Sequence, residues 1–536
     1  MYKPANCRSV SGEFAWRALK NFTRLTDAEY RPATLEIEDG RDWPGDRRGR
    51  ALLALTLHKR LTGLVSPFYA DTLEDTLRRV EKKGYMGAQM ENGVADEQQL
   101  SGHNWLLRAL LEIYRDTESP RVKAAADRLV QTLYLPCTPL YRDYPHDPAL
   151  RYLDGKPSGV LIEEAVNGWK LSTDIGCAFM SLDGLTQYAE IIGGAAVEAL
   201  LEEMIEAFFR LDPVGSSLQT HATLTAARSL MRRWETTGEA RLLEKAREIW
   251  ALYVENGMTE NYANFNWFKR PLWTEPCAIV DSYMLTTALY RATEEQAYLE
   301  AANRILYSAL YASQRPNGGF GCDVCVQGEV RTLAVRASTY EASWCCTMRG
   351  AEGLYEAARN AVLCTENRVL LTNLVPGEFH AGPLKLRVGT EYPAKGEAVI
   401  QVQGAEGATR IGVYMPESVD LAGVRVARDG APVGTSFEGR ICWIETGAPD
   451  TLTVSFPLEV KRQPARLSRG ATYWRGPELL GVEEDPESAP TDPVWSGERV
   501  YTYKGLRLFP AASGVLRDRE RLEKRRLRVV FADEDA

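Results

Sequence analysis

Thiols and a carboxylate fall in two short motifs in the middle of the chain. The first is Trp-Thr-Glu-Pro-Cys at 273–277, and the second is Ser-Trp-Cys-Cys at 343–346. Pro276 suits the first position of a helix, so we expect Glu275 to be the N-cap and Cys277 to lie in the first turn. The vicinal cysteines of the second motif are expected to open another helix. Helix dipoles at two converging N-termini favour thiolates, and thiolates with a carboxylate are ligands that zinc prefers.

These motifs predict a Cys₃Glu site for Zn²⁺ made by Glu275, Cys277, Cys345 and Cys346. A second set competes with it, because Cys322 and Cys325 have C-x-x-C spacing and give four thiols together with the vicinal pair. The sequence has no second C-x-x-C motif, which weakens that alternative. A third interpretation treats all these thiols as small buried side chains. The other cysteines are expected to be core or incidental residues: Cys7, Cys137, Cys177, Cys364 and Cys442.

The net charge of the chain and the absence of several common catalytic motifs argue against some classes of function. Lys+Arg 64 against Asp+Glu 73 gives a net charge of −9, which argues against nucleic acid as a partner. The sequence has no G-x-S-x-G, Walker A, G-x-G-x-x-G or H-E-x-x-H motif. Serine esterases of the usual kind, P-loop enzymes and zincins are therefore not favoured.

Helical periodicity extends from about residue 46 to about residue 362, and its segments come in pairs. An aromatic residue ends the first helix of a pair, a short polar or Gly turn follows, and a second amphipathic helix begins. About six such αα-hairpins predict a closed ring of helix pairs, an (α/α)6 toroid, rather than a four-helix bundle. The junctions that carry this pattern are at 58–63, 114–119, 188–194, 234–239 and 290–295, and 346–362 starts a further pair.

In such a ring the first helices run parallel, so their N-termini share one face. His103, Asp174 and His221 lie at or before the starts of three first helices, and the two cysteine motifs start two more. The loops expected on that face are long and rich in aromatic, Gly and acidic residues. Aromatics and carboxylates at one mouth suit a sugar, which offers an apolar face and a rim of hydroxyls. We therefore predict that these three residues bind substrate, whereas His58, His146 and His380 have no supporting context.

After about residue 366 the pattern changes to period-two alternation with turn signals, which predicts an antiparallel β-sandwich. The fold class is therefore α+β and multidomain. The predicted domains are a toroid catalytic domain at 1–365, a β-sandwich at 366–465, and a smaller β-rich segment at 466–536 with a charged, solvated tail. A Pro-rich stretch at 483–495 is expected to be a surface loop or linker.

The order of E-x-C at 275–277 and C-C at 345–346 resembles glycoside hydrolase family 127, the β-L-arabinofuranosidases and related bacterial hydrolases. The stretches LLTNLVPGEF, EYPAKGEAVIQV and RGPELLGVEE look like the trailing β-domains of that family. The resemblance implies that zinc is held by the Cys₃Glu set and that Cys345 attacks the anomeric carbon. It also implies that Glu260, in G-M-T-E-N-Y, is the general acid/base.

The first functional hypothesis is therefore a retaining glycosidase that releases a β-linked L-arabinofuranose or a similar sugar from a short oligosaccharide or glycoside. A second is an inverting or uronyl hydrolase on the same toroid, with structural zinc and catalytic acids among Asp174, Glu163 and Glu164. A third is a carbohydrate-binding or scaffold protein without turnover. Product stereochemistry separates the first two, and binding without hydrolysis marks the third.

The N-terminal residues lack the apolar core of a signal peptide, and no stretch approaches the ~18 apolar residues of a membrane span. We therefore expect a cytoplasmic protein with no membrane partner. Homodimer formation is left open.

Overall fold

The computed structural model joins a helical region to several β-sheets. Most helices lie before residue 360 and most strands after it, so the expected α+β organisation is confirmed in this outline. The described residues are 1–35, 43–90, 93–151, 159–162, 164–325, 332–335, 341–404, 409–447, 449–483, 499–513 and 526–532.

The α-helices of the described residues are α1 Gly12–Arg24, α2 Pro32–Leu35, α3 Asp46–Thr62, α4 Tyr69–Lys83, α5 Glu97–Thr117, α6 Pro120–Leu129, α7 Ser181–Ile191, α8 Ala195–Phe209, α9 Thr220–Thr237, α10 Ala240–Asn256, α11 Pro276–Thr293, α12 Gln296–Arg304, α13 Tyr311–Ser313 and α14 Cys346–Arg359. The junctions expected at 58–63, 114–119, 188–194, 234–239 and 290–295 all coincide with helix ends, so those predictions are confirmed. At two of them a glycine in the left-handed region, Gly63 (φ 75°) or Gly238 (φ 74°), ends the helix.

Six helices form a closed cycle of contacts. α3 packs against α5, α5 against α7, α7 against α9, α9 against α11, α11 against α14, and α14 against α3. The helices α4, α6, α8, α10 and α12 each pack on the inner helix that precedes them. The sixth inner helix differs, because the chain after Arg359 turns to strand. Its outer position is taken by α1, which contacts both α14 and α3.

Close packing of the inner helices depends on a small residue. A Cβ atom at Gly49 of α3 would lie 2.2 Å from the backbone nitrogen of Leu106 in α5. That distance leaves no room for any side chain, which is why glycine occupies the contact between these two helices.

Buried ion pairs link the inner helices across the centre of the ring. Asp183 of α7 accepts hydrogen bonds from Arg108 of α5 at 2.5 Å and from Arg228 of α9. Asp281 of α11 accepts from Arg228 at 2.7 Å and from Arg349 of α14 at 2.6 Å. These groups are at most 5% exposed, so removing one partner would leave an uncompensated buried charge.

The strands of the described residues are β1 Lys3–Pro4, β2 Asn6–Val10, β3 Ala95–Asp96, β4 Trp169–Lys170, β5 Asp323–Cys325, β6 Thr332–Val335, β7 Val362–Cys364, β8 Arg368–Leu371, β9 Gly377–Ala381, β10 Leu384–Thr390, β11 Glu397–Gln403, β12 Thr409–Tyr414, β13 Arg425–Arg428, β14 Ala431–Pro432, β15 Ser436–Glu438, β16 Ile441–Thr446, β17 Asp450–Ser455, β18 Val460–Pro464, β19 Ala471–Arg475, β20 Glu478–Glu483, β21 Tyr501–Tyr503, β22 Leu506–Pro510 and β23 Arg526–Arg528.

Two sheets follow the helical region and share one buried hydrophobic cluster. One has the order β1-β7-β8-β12-β16-β15, and the other has the order β14-β13-β17-β11-β10-β9-β2. Neighbours in these sheets are antiparallel, as expected, except that β8 and β12 run parallel. Alternate residues of β10 are buried, which is the period-two pattern of a sheet with one covered face.

A third sheet has the order β18-β19-β20-β23-β6-β5, and β22 pairs with both β20 and β21. Strand pairing therefore crosses both predicted domain boundaries. β1 and β2 of the N-terminal region join the first two sheets, and β18, before residue 465, pairs with β19 after it. The limits at 365 and 465 stay predictions. The 483–495 stretch and the charged tail lie largely outside the described residues.

Within the part of the chain that the structure describes, no helix is both long and apolar enough to cross a membrane.

Candidate active site

A cleft of about 500 Å³ opens where the inner helices begin. Its lining includes Asp46 and Arg50 at the start of α3, His221 at the start of α9, Glu275 just before α11, and the vicinal cysteines at the start of α14. Asp174 and Met180, which precede α7, also line it. The starts of five inner helices therefore meet at one mouth; four of them, those of α7, α9, α11 and α14, were predicted to lie there, whereas α3 takes the place expected for α5.

Four donor atoms converge beside this cleft, and all of their residues except Cys277 belong to its lining. Each of four residues supplies one donor atom, and these atoms all lie within 4.8 Å of one another: Glu275, Cys277, Cys345 and Cys346. Among the described residues, this is the one group of three or more His, Cys, Asp or Glu side chains that could hold a metal ion. The Sγ of Cys346 lies 3.4 Å from that of Cys345 and 3.6 Å from that of Cys277. The four residues that the sequence predicted as metal ligands therefore lie together in the structure.

Local geometry explains why the four donors point together. Pro276 is the first residue of α11 and Glu275 is its N-cap, both as predicted. The Glu275 carboxylate does not cap its own helix, while its backbone N–H donates to Asn264 Oδ1 at 2.9 Å. Cys345 is the N-cap of α14, with φ −144° and ψ −61°, and its side chain makes no capping bond either. The donor side chains are therefore available to a ligand.

Protonation differs sharply among the three thiols. Hydrogen bonds from Cys277 and Cys346, helped by the charge of Arg50, lower the pKa of Cys345 to about 6. Burial raises the pKa of Cys277 to about 11, and burial also raises the pKa of Cys346 well above its usual value. Burial, followed by the neighbouring Cys277 charge, raises the pKa of Glu275. The cluster on its own thus favours a single thiolate at Cys345.

The cluster fits a zinc ion on two independent grounds. Glu275 Oε2 is buried and has no hydrogen-bond partner, which is costly unless a cation or proton satisfies it. Three sulfurs and one carboxylate oxygen are also the donor number and type of a tetrahedral zinc site. A bound cation would stabilise all four donors in their charged forms.

The two cysteines of the competing C-x-x-C motif, Cys322 and Cys325, lie in different surroundings. Cys322 lines the cleft and its thiol raises the pKa of Cys346. Cys325 packs instead with Phe265 and Leu467 in a small apolar cluster, where burial raises its pKa to about 12. All ten cysteines are free thiols.

Two of the predicted substrate residues, Asp174 and His221, line the cleft. His103 does not belong to its described lining and sits in the second turn of α5 rather than at its start. Its Nε2 accepts the backbone N–H of Met86 at 2.8 Å, and its Nδ1 donates to the Gln99 carbonyl at 2.8 Å. Both ring nitrogens are therefore used within the fold.

Glu260 is not among the residues that line the cleft. It is 2% exposed, and its two carboxylate oxygens accept backbone N–H groups of Arg466 at 3.1 Å and Leu467 at 2.8 Å. Both amides belong to the segment between β18 and β19. Glu260 thus fastens that segment to the helical region in this structure.

Two of the three carboxylates of the second hypothesis, Asp174 and Glu164, belong to the described residues, and they lie in different surroundings. Asp174 lines the cleft, whereas Glu164 is exposed and outside the described lining. Glu163 lies outside the described residues.

The sequence analysis missed the residues that α3 contributes. Arg50 donates to Asp46 Oδ1 at 2.8 Å and to Cys277 Sγ at 3.6 Å, and its guanidinium lies 4.1 Å from the centroid of the Trp105 ring. It places a positive charge beside the thiol cluster. The rule used for the other inner helices, that residues at their starts share one face, would have found this pair if applied to α3.

Aromatic rings surround the same mouth. Trp43, Trp273 and Trp344 line the cleft, and Trp344, directly before Cys345, is 51% exposed. Exposed indole rings beside polar groups are a common way to bind a sugar ring.

The family model described as beta-L-arabinofuranosidase, GH127 catalytic domain, matches residues 51–359. The chain belongs to GH127. The matched segment extends from within α3 to the last residue of α14 and contains all four residues of the cluster. This GH127 protein is therefore a glycoside hydrolase and its substrate is a carbohydrate, so the resemblance inferred from E-x-C and C-C is confirmed.

Solved structures support the same fold across the whole of the GH127 chain. A glycoside hydrolase structure is 14% identical with a TM-score of 0.70 and covers 99% of this chain and 98% of its own. A GH127 beta-L-arabinofuranosidase from Geobacillus stearothermophilus T6 is 13% identical with a TM-score of 0.64 and 96% coverage of both chains. A GH127 beta-arabinofuranosidase is 12% identical with a TM-score of 0.73, covering 99% of this chain and 98% of its own. No curated protein matches by sequence.

Proposed function

We propose that this protein is a retaining glycoside hydrolase resembling the β-L-arabinofuranosidases, with a zinc-bound Cys345 thiolate as nucleophile. The observation that supports this most is that donor atoms of Glu275, Cys277, Cys345 and Cys346 lie within 4.8 Å of one another, beside a cleft that Cys345 itself lines. We also infer that the closed cycle of inner helices is the (α/α)6 toroid expected from the sequence.

Glu275, Cys277, Cys345 and Cys346 would hold the zinc ion. When bound, zinc would keep the Cys345 sulfur ionised at neutral pH and make it a better leaving group in the second half of the reaction. Four protein ligands are usually a sign of structural zinc, because catalytic zinc keeps one position open. That objection does not apply here, because the reacting sulfur is itself one of the ligands.

The chemistry then follows from the residues that line the cleft. The Cys345 thiolate attacks the anomeric carbon, the glycosidic C–O bond breaks, and a thioglycosyl enzyme forms. A proton must reach the leaving oxygen, and later a base must take a proton from the attacking water. Two displacements at one carbon retain its configuration. Glu260 is the residue that the family resemblance predicts for the proton transfers.

The cleft composition supports a furanoside or pyranoside substrate. Three tryptophans offer apolar faces, and Asp174 and His221 offer polar partners for hydroxyl groups. Trp344 stands beside the nucleophile and is half exposed, so it is placed to stack on the leaving-group sugar. The β-linked L-arabinofuranose is proposed from the family, and the proposed substrate is a short oligosaccharide or a glycoside.

The carboxylate-based alternative has less support, because of its two acids among the described residues Asp174 lines the cleft and Glu164 does not. A non-catalytic carbohydrate-binding role is the remaining alternative. Cytoplasmic location stays a prediction, and the question of a homodimer stays open.

Product stereochemistry tests the proposal. Proton NMR of early hydrolysis of a β-L-arabinofuranoside should show the β-anomer first, followed by slow mutarotation. Initial release of the α-anomer would support an inverting carboxylate pair and overturn the thiolate mechanism. Binding of the sugar without any hydrolysis would favour the non-catalytic role.

A further inference from the structure

We propose that Arg24 and Glu341 are positioning residues for the vicinal cysteines, so that an N-terminal segment outside the matched catalytic domain completes the active site. The inference rests on the proposed function, since it concerns the placement of Cys345 as the nucleophile. The family model begins at residue 51. Helix α1 and the short turn Ala28–Tyr30 precede that residue, yet both contact the stretch of chain that leads into α14.

The Glu341 carboxylate links α1 to the first turn of α14. Nε of Arg24 donates to both carboxylate oxygens at 2.9 Å, and the Arg24 and Glu341 side chains are only 10% and 9% exposed. Thr347, which follows the vicinal pair, donates its hydroxyl to Glu341 Oε1 at 2.7 Å. Asn317 donates to Oε2 at 2.6 Å. Each carboxylate oxygen therefore joins Arg24 to a second residue of the chain around the vicinal cysteines.

Two further hydrogen bonds hold the residue midway between Glu341 and Cys345. Tyr30 donates its hydroxyl to the Ser343 carbonyl at 2.9 Å, and the Ser343 hydroxyl donates to Glu29. The guanidinium of α1 that holds Glu341 also donates to the other oxygen of Glu29. One cation therefore holds both carboxylates that fasten this segment.

The backbone of residues 341–347 contributes little regular structure of its own. Cys345 has φ −144° and ψ −61°, outside the helical region, and its N–H donates to the Ala342 carbonyl at 3.3 Å. Helix α14 begins at Cys346. The position of the Cys345 sulfur relative to the cleft therefore depends on side-chain contacts such as those of Arg24.

Arg24 also neutralises the acidic side chains around this segment. Its guanidinium pairs with Asp27 at 2.9 Å, with Glu341 at 2.9 Å, and with Glu29. A second cation, Arg47 of α3, lies 3.6 Å from Glu29. Without the Arg24 charge, the Glu29 and Glu341 carboxylates would repel each other, and we expect the segment that they hold to move.

A buried ion pair elsewhere in the chain provides the matched control. Arg304, at the end of α12, donates to Glu300 at 2.6 Å, and the two side chains are 4% and 7% exposed. This pair contacts the sheet region through Tyr414, which donates to Glu300 at 2.8 Å. Neither member lines the cleft. Loss of this pair should therefore lower stability without moving the vicinal cysteines.

The experiment compares Arg24→Gln, Arg24→Lys and Arg304→Gln in zinc-loaded protein with a methyl β-L-arabinofuranoside. Arg24→Gln should lower kcat about ten- to hundred-fold, because a small displacement of the nucleophile is costly, and should change KM less than about two-fold. Arg24→Lys keeps the charge and should recover part of the lost kcat. Arg304→Gln should lower the Tm but leave kcat within about two-fold of the wild type.

Hydrogen–deuterium exchange provides a readout that does not depend on turnover. Backbone amides of a peptide covering 341–347 should exchange at least about five-fold faster in Arg24→Gln than in the wild type. The same peptide of Arg304→Gln should exchange at the wild-type rate. Unchanged exchange of this peptide in Arg24→Gln, or a kcat loss no larger than that of Arg304→Gln, would overturn the proposal.

Glu341→Gln provides the second variant if Arg24→Gln does not fold. Glutamine keeps an oxygen that accepts from Thr347 but removes the charge that pairs with Arg24, so kcat should fall and exchange at 341–347 should rise. Wild-type values of both quantities would contradict the proposal. Failure of the proposed function would appear differently, as an inverted product or no hydrolysis by the wild type, while the exchange comparison would still test the hold on the cysteines.

Discussion

The Sγ atoms of Cys277 and Cys346 lie 3.6 Å apart, although 69 residues separate them in the chain. Each stands at the N-terminus of an inner helix, and α11 and α14 are neighbours in the ring. The contact therefore results from the helical architecture rather than from a local metal-binding loop. It predicts that metal binding and the packing of these two helices depend on each other.

Metal content tests the donor set, with Cys277→Ser as the variant and Cys322→Ser as its matched control. Both thiols lie beside Cys346, but Cys277 belongs to the converging four and Cys322 does not. We expect about one zinc per chain in the wild type and in Cys322→Ser, and a large loss in Cys277→Ser together with a lower Tm. Elemental analysis and calorimetry measure the two quantities. Equal zinc loss in both variants would show that Cys322 is a ligand as well.

Alkylation of chelator-treated protein tests the thiol pKa values. The pKa of Cys345 is lowered from 9.0 to about 6, so its thiolate forms as the pH rises through about 6. Its reaction rate with iodoacetamide should therefore climb between about pH 5 and 7 and then level off. Cys277, with its pKa raised to about 11, should stay unreactive over this range. Peptide mass mapping follows each site, and a Cys345 rate still rising at pH 9 would disprove the low pKa.

Trp344 provides a test of substrate stacking. Trp344→Ala should lower kcat/KM about five-fold on an arabinofuranosyl disaccharide, which corresponds to about 1 kcal/mol of lost stacking, and should change the methyl glycoside little. Phe437→Ala, which removes an exposed aromatic ring of β15, is the control. Equal losses on both substrates would place Trp344 at the sugar that is released rather than at the leaving group.

The starts and ends of the helices could be predicted from neighbouring residues in the sequence. Pro276 set the start of α11, and the polar turns set the ends of the helix pairs, because both act within a few residues. The rule that parallel helices share a face then brought the cysteine motifs together. Asp174 and His221 were placed in the cleft by the same rule.

Long-range contacts were not predictable in the same way. The pairing of β1 with β7 and the packing of α1 on α14 join opposite ends of the chain, and neither end carries a pattern naming its partner. Glu260 is engaged by amides more than 200 residues later, and Asp281 receives its partners from α9 and α14. Such contacts depend on tertiary structure that periodicity does not encode.

Replacement of the proposed nucleophile separates catalysis from ligation. Cys345→Ser should lower kcat by at least about a thousand-fold, since a serine hydroxyl is a weak nucleophile without a dedicated base. Cys346→Ser should act mainly through zinc loss and lower stability. Near-normal turnover of Cys345→Ser with zinc still bound would assign the zinc a purely structural role.

Covalent labelling tests the central claim most directly. An epoxide or haloacetamide analogue of L-arabinofuranose, incubated with zinc-loaded wild-type protein, should attach one sugar per chain, and peptide mass mapping should place it on Cys345. Excess arabinose should protect the site. A label on Asp174 or another carboxylate of the cleft, with Cys345 unmodified, would contradict the thiolate mechanism.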